Sequence, residues 1–372
     1  MNRFHVTQML SVSSCMLAII LWYFYPDIDT HSDFFVTLFL SIIQIAIIPN
    51  VFLSIIKAIT TLSIDHLMML SKRFLYAISF LWGIVITLLL MIWFVISTFS
   101  SGQTILATFS ASKLGITFLV PGSMLLALIV GGILNYLPSG KRMIPSIHRV
   151  QFTASVILEY VFLLIPILVF FVVHKFLSVA SFKHTAIALH YFLLSLTFVS
   201  CMIVLVFPLI YRYLVEMRYS NYIKLIAPIC FMTFLAGDSI ASIPLIAKAV
   251  DEQLPGDTQS SRMLTIVVIC FPWVGELANL IFPIYSSVIE GFGFTTVLSI
   301  VSVGPFFMFT DPYISIPTLL GAFNFPETYQ FTYLTLALMT DHMFEVCESI
   351  SVLLVVLILR TYMLRVSRQV TN

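Results

Sequence analysis

The chain has 372 residues, 60% of them hydrophobic and 9% charged, and its mean hydropathy is +1.07. Soluble domains carry about 25% charged residues, so these figures exclude a soluble globular domain and leave an all-α polytopic membrane protein. A formal net charge of +1, with no basic cluster, gives no footing for a nucleic-acid partner.

Strand alternation of the kind found in membrane barrels is absent. Cys15, Cys201, Cys230, Cys270 and Cys347 lie in or beside apolar runs without metal-ligand spacing, so they are expected to pack, with no metal and no cofactor. Residues 1–27 resemble a secretory signal in outline, but no small-residue cleavage site follows the apolar run. They read as a retained first span over 8–25, with Trp22, Tyr23 and Tyr25 as interfacial anchors. A second span over 34–62 is expected to kink at Pro49-Asn50. Residues 63–73 read as a short amphipathic link, and 74–98 as the third span. The Ser/Thr/Gly-rich stretch 100–112 is a loop. The fourth segment, 116–136, contains Pro121-Gly122 and Gly131-Gly132 and is expected to be broken. Lys141, Arg142 and Arg149 mark an exposed loop before spans five and six, over 152–174 and 187–211.

The pattern then changes. Residues 225–250 are apolar but interrupted by Pro228, Gly237-Asp238-Ser239 and Pro244, with charged residues at both ends. A helical span needs about 20 clean residues. Two half-length pieces around a polar tip fit a re-entrant hairpin, which a membrane tolerates where protein or water covers the backbone. Residues 263–290 form a seventh span interrupted by Pro272 and Pro283. Residues 295–326 repeat the hairpin signature with Gly304-Pro305, Thr310-Asp311-Pro312 and Pro317. Paired broken segments in corresponding halves point to a transporter's binding site.

Charge gives an independent check on topology. With the N-terminus inside and the two hairpins entering from opposite faces, Lys113, Lys175 and Lys183 fall outside. Lys57 lies near the inner end of its span, and the remaining lysines and arginines, from Arg3 to Arg368, all fall inside. That bias supports eight spans, two opposed hairpins and both termini in the cytoplasm, in a cytoplasmic (inner) membrane.

The eighth span, over 331–360, carries Asp341, Glu345 and Glu348 in an otherwise apolar run. At about 100° per residue these three carboxylates share roughly 60° of helix face. An acid near the bilayer centre costs about 2.5–3.5 kcal/mol on insertion scales. Such a stripe must therefore face protein, water or an ion rather than lipid. A polar seam that merely glues helices is the bland account; an ion, proton or solute site is the sharper one. His342 points away from the acids on the helix and reads as a packing residue.

These residues carry a family likeness. The stretches LFLSIIQIAIIPNVFLSIIKAITTLS, LIAPICFMTFLAGDSIASIPLIAKAVDEQ and GAFNFPETYQFTYLTLALMTDHMFEVCESI resemble the second helix, the first hairpin, and the second hairpin with the eighth helix of the dicarboxylate/amino acid:cation symporters. That glutamate-transporter-like likeness runs from about residue 10 to 362. It implies eight transmembrane helices plus two opposed re-entrant hairpins in one membrane domain over 1–372, assembled as a homotrimer. Residues 8–62 and 116–175 would be scaffold. Residues 74–98 and 187–362, with hairpins over 225–250 and 295–326, would be the moving transport part. The departures bear on function. The family's serine triplet reads Asp238-Ser239-Ile240, so Ser239 alone is kept. The sodium-ligating break of the seventh helix reads PWVGELANLIFPIY, which retains Asn279, lacks the aspartate and adds Glu276. In the eighth helix Asp341 matches a structural aspartate and Glu345 the acid that holds a substrate amino group. Glu348 stands where acidic-substrate transporters carry arginine, Ser349 matches a small hydroxyl residue, and Val352 and Val356 replace polar residues.

The functional expectation is a secondary active symporter of a small organic solute such as an amino acid or carboxylate, working by elevator-like movement. The expected solute contacts are Asp238, Ser239, Thr310, Asp311, Glu345, Glu348 and Ser349. The expected ion or proton coupling residues are Glu276, Asn279, Asp341, Glu345 and Glu348. Neighbouring buried carboxylates exchange protons as a coupled set, and hard-cation coordination wants more convergent oxygens, so protons fit better than sodium. A non-transporting sensor or assembly subunit on the same fold is the alternative. An intramembrane enzyme needs a matched aspartyl pair or a metal set that the sequence does not offer, and no catalytic residue is expected.

Overall fold

The computed structural model describes residues 64–99, 182–215, 218–237, 239–254, 258–309 and 311–371, together with scattered helical positions between 13 and 171. The first, second, fourth and fifth expected spans therefore fall wholly or largely outside the described residues, as do Asp238, Thr310 and the N-terminus. Among the described residues the regular elements are all helical.

Helix α1 (Ile64–Phe99) is the expected third span, but it begins well before residue 74. The stretch expected to be a link is its opening turns. Polar residues there suggested a loop, yet nothing between 64 and 82 is Gly or Pro, so no residue stops the helix. Its buried positions Ala77, Leu81, Val85 and Leu89 recur every fourth residue, which makes one inward stripe. Tyr76, Phe80, Met91 and Phe94 lie off that stripe and are exposed.

Helix α2 (Phe182–Cys201) runs through a π-helical stretch, Met202–Val206, into α3 (Phe207–Leu214). Pro208 explains the irregularity: its ring crowds the carbonyl four residues earlier and it offers no N–H, so the preceding turn widens. Helix α4 (Tyr219–Ala236) ends at Gly237, whose φ of +65° is the left-handed cap conformation glycine accepts most readily. After the tip comes a 3₁₀ turn, Ser239–Ser242, and then α5 (Ile243–Gln253), with Pro244 in its tolerated first turn.

The seventh span is broken twice. It comprises α6 (Thr258–Ile269), the short α7 (Val274–Ala278) and α8 (Ile281–Ile289). Each break falls close to four residues ahead of a proline or at the proline itself, as the i to i−4 clash requires. Helices α9 (Phe294–Phe307) and α10 (Pro312–Ala322) form the second helix–tip–helix unit. Asp311 caps α10 by accepting the Tyr313 N–H at 2.9 Å, with Pro312 in the first helical position.

Helix α11 (Glu327–Thr371) is the axis of the fold. It packs against α1, α2, α4, α6, α7 and α10. From Val352 to Leu357 every side chain is buried, so this helix is apolar all round because it is enclosed all round. Among the described residues, four segments are long and apolar enough to cross a membrane: Lys72–Thr98, Ile187–Leu214, Leu264–Ile289 and Glu327–Leu364.

Candidate functional site

The three acids of α11 meet three different neighbours. Asp341 lies nearest the second unit, where the Tyr313 hydroxyl approaches its Oδ2 at 3.5 Å. Glu345 reaches the first tip: its Oε2 accepts the Ser239 N–H at 2.7 Å. Glu348 reaches the broken seventh span. Its Oε1 accepts the Trp273 N–H at 3.2 Å, and its Oε2 accepts those of Gly275 and Glu276 at 3.1 and 3.2 Å.

The first break shows why an acid is needed there. The N-cap of helix α7 is Trp273, a residue with no acceptor to offer the first turn. Glu348 supplies the cap from another helix, its two oxygens accepting N–H groups that the turn cannot satisfy itself. Two carbonyls around Pro272 accept from indoles. Trp273 Nε1 donates to Val268 O at 2.7 Å, and Trp82 Nε1 on α1 donates to Pro272 O at 2.8 Å. Helix α7 lies so close to α11 that a Cβ on Gly275 would sit 2.7 Å from Glu348 Cβ and collide with Phe344 O. At the second break Asn279 donates Nδ2–H to Glu276 O at 3.3 Å and accepts the Tyr333 hydroxyl at 2.8 Å.

The first tip is tied to α11 by hydroxyls as well. Thr233 Oγ1 lies 2.9 Å from Ser349 Oγ, and Ser349 Oγ lies 3.0 Å from Ser242 Oγ. Ser242 donates to Ser239 O at 2.6 Å, which leaves it to accept from Ser349, and Ser349 to accept from Thr233. Thr233, Ser242 and Ser349 are fully buried. His342, expected to pack, does so specifically. Its Nδ1 lies 2.7 Å from Phe234 O, in the last turn of α4, and its ring covers Gly237. Only an N–H can satisfy a carbonyl, so Nδ1 carries the proton.

The structure thus gathers Ser239, Asp311, Asp341, Glu345, Glu348, Ser349, Glu276 and Asn279 around α11, while Asp238 and Thr310 lie outside the described residues. The fields of Glu345, Glu348, Asp311 and Asp341 all reach Glu276. Glu276 Oε2 is a buried atom with no hydrogen-bond partner. Among the described residues no group of His, Cys, Asp and Glu has the arrangement of a metal site. Sequence reading missed the roles of Trp82, Trp273, Gly275, Thr233 and Ser242. A glycine next to a proline break, in a span otherwise rich in large side chains, was the available signal for Gly275.

The family model of the sodium:dicarboxylate symporters matches residues 9–268. The chain belongs to the sodium:dicarboxylate symporter family. Its members are transporters rather than enzymes, so this is a multi-pass membrane protein of a solute-transporting class, with the bilayer and a small-molecule solute as its partners. A comparison with curated proteins gives no match. The family match ends at the close of α6, just before the first break, and the Glu348-capped turn lies beyond it.

Proposed function

We propose that this family member is a secondary active symporter for a zwitterionic or cationic small solute, such as a neutral or basic amino acid, coupled to protons rather than sodium. The observation that carries the reading is the charge of the site. Asp311, Asp341, Glu345, Glu348 and Glu276 interact there, and Glu348 replaces the arginine expected of a transporter for acidic solutes. In a partly dehydrated site such a field repels a dicarboxylate and attracts an ammonium group. The Ser239 N–H is held by Glu345, and the Ser349 hydroxyl by Thr233 and Ser242, so both serve a solute only when those bonds open, with Asp238, Thr310 and Asp311 at the two tips. Proton coupling is supported by the crowding of carboxylates and by Asn279, whose side-chain oxygen already accepts the Tyr333 hydroxyl.

In this reading the two helix–tip–helix units are opposed re-entrant hairpins among eight spans. Residues 74–98 and 187–362 move elevator-like against a scaffold of 8–62 and 116–175 in a homotrimer. The protein sits in the inner membrane with both termini cytoplasmic. The test is uptake into proteoliposomes under a pH gradient without sodium, with arginine, serine, glutamate and succinate as solutes. Uptake of arginine or serine driven by the gradient is expected. Sodium-dependent, pH-insensitive uptake of glutamate or succinate would overturn the proposal.

A further inference from the structure

Both oxygens of Glu348 are occupied by backbone N–H groups of one short turn, and the side chain is 2% exposed. A residue in that state does not reach out to a solute. Its neighbour Glu276 is in the opposite condition. The Glu276 backbone N–H is held by Glu348, yet its side-chain Oε2 is buried with no hydrogen-bond partner, within the field of the other acids. We propose that Glu348 is a positioning residue: it caps α7 from α11 and thereby fixes the place of Glu276, which is the carboxylate that meets the solute's cationic group or the coupled proton. The inference rests on the transport reading and assigns its contact to a different acid.

Three features of the geometry support this division of labour. The residue that opens α7 is Trp273, which has no side-chain acceptor, so the turn depends on a cap from elsewhere. Gly275 allows the close approach that brings Glu348 within reach of three amides. Glu276 is the third residue of α7, so its Cα is set by the very hydrogen bond that Glu348 accepts. An arginine in place of Glu348 has donors only and leaves those amides without an acceptor. An arginine at position 348 would therefore change the architecture of the broken span along with the charge of the site.

The test uses the full chain, purified and reconstituted. Glu348→Gln keeps an acceptor; Glu348→Met keeps length and packing without one. Hydrogen exchange at the amides of Trp273, Gly275 and Glu276 reports on the cap and needs no transport. Two further readouts report on Glu276 itself: the KM for arginine and serine against the maximal rate, and the rate at which dicyclohexylcarbodiimide labels Glu276, read by peptide mass spectrometry. Glu348→Met is expected to speed exchange at those amides about tenfold or more, to raise KM more than it lowers the maximal rate, and to speed labelling of Glu276, with Glu348→Gln, which keeps one acceptor but turns an NH2 donor toward the remaining amides, falling between wild type and Glu348→Met in all three. Unchanged exchange in Glu348→Met overturns the cap. Lost protection with unchanged KM and unchanged labelling overturns the positioning of Glu276. If Glu348→Met does not fold, the comparison runs between wild type and Glu348→Asp, which keeps the charge and shortens the reach, with the same outcomes. If the wild type takes up neither solute, the transport reading falls, while exchange and labelling still decide between these outcomes.

Discussion

Replacing Gly275 by alanine probes the seating of α7 on α11 while leaving every acid in the sequence. The added Cβ would lie 2.7 Å from Glu348 Cβ and 2.8 Å from Glu348 N, and would collide with Phe344 O. Carbon atoms in comfortable contact stand about 3.5–4.0 Å apart, so α7 must back away by about an ångström. Two of the three opposing atoms are backbone of a long helix and cannot rotate aside. Overpacking of this kind costs about 1–3 kcal/mol. The same movement stretches the Glu348 hydrogen bonds from 3.1–3.2 Å toward 4 Å, where they no longer hold. Partial loss of three hydrogen bonds, each about 0.5–1.5 kcal/mol, brings the total to about 2–4 kcal/mol, non-additive as such sums are. On purified protein the thermal midpoint is expected to fall by on the order of 10 °C, with faster exchange at the amides of residues 273–276. A fall under about 2 °C with unchanged exchange would mean that α7 does not sit against Phe344 and Glu348, and the account of the break would fail.

Three other expectations concern separate parts of the molecule. Trp82→Phe keeps the ring's edge contacts with Phe306 and Phe309 but removes the donor to Pro272 O; it should cost about 1 kcal/mol in thermal stability, and a neutral result would remove Trp82 from the break. Glu345→Gln leaves an acceptor for the Ser239 N–H but no titratable group, so gradient-driven uptake should lose its pH dependence; retained pH dependence would exclude Glu345 from coupling. A cysteine introduced at Ser181 should be labelled from outside while tags at residues 1 and 372 are reached only from the cytoplasm, and an externally accessible terminus would refute the eight-span topology.

How much of this was legible in the sequence can be judged residue by residue. Asp341, Glu345 and Glu348 fall on one face because helical periodicity alone puts them there. The tips were legible because Gly237, Asp311 and Pro312 carry local conformational signals that need no tertiary context. The partners of the three acids were not legible, because they depend on how closely α7 and the first tip approach α11. Glu348 is the clearest case. Its charge was readable, and charge suggested a solute contact, but its oxygens are held by amides that exist only because α7 starts at a residue unable to cap itself. The start of α1 was missed for the opposite reason. Asp65, His66, Lys72 and Arg73 look like a linker, yet polarity does not end a helix without a Gly, a Pro or a competing cap.

That distinction changes what buried acids can be taken to mean. Retained carboxylates in a membrane span ordinarily point to transport, because each costs about 2.5–3.5 kcal/mol against lipid. Here Glu345 and Glu348 replace acceptors missing from irregular backbone, and an uncapped amide in that setting also costs about 1–3 kcal/mol. A descendant that had lost transport would still need both to hold its shape, so their presence does not separate a symporter from a sensor on the same fold. Glu276 does separate them. Its Oε2 is buried and accepts no hydrogen bond, so that oxygen adds no hydrogen bond to the fold. Glu276→Gln should therefore leave the thermal midpoint unchanged or raised while abolishing gradient-driven uptake. A Glu276→Gln protein that transports arginine or serine with wild-type rate and pH response would show that the acid has no part in the cycle, and a wild type that transports neither, with Glu276→Gln more stable, would favour the sensor.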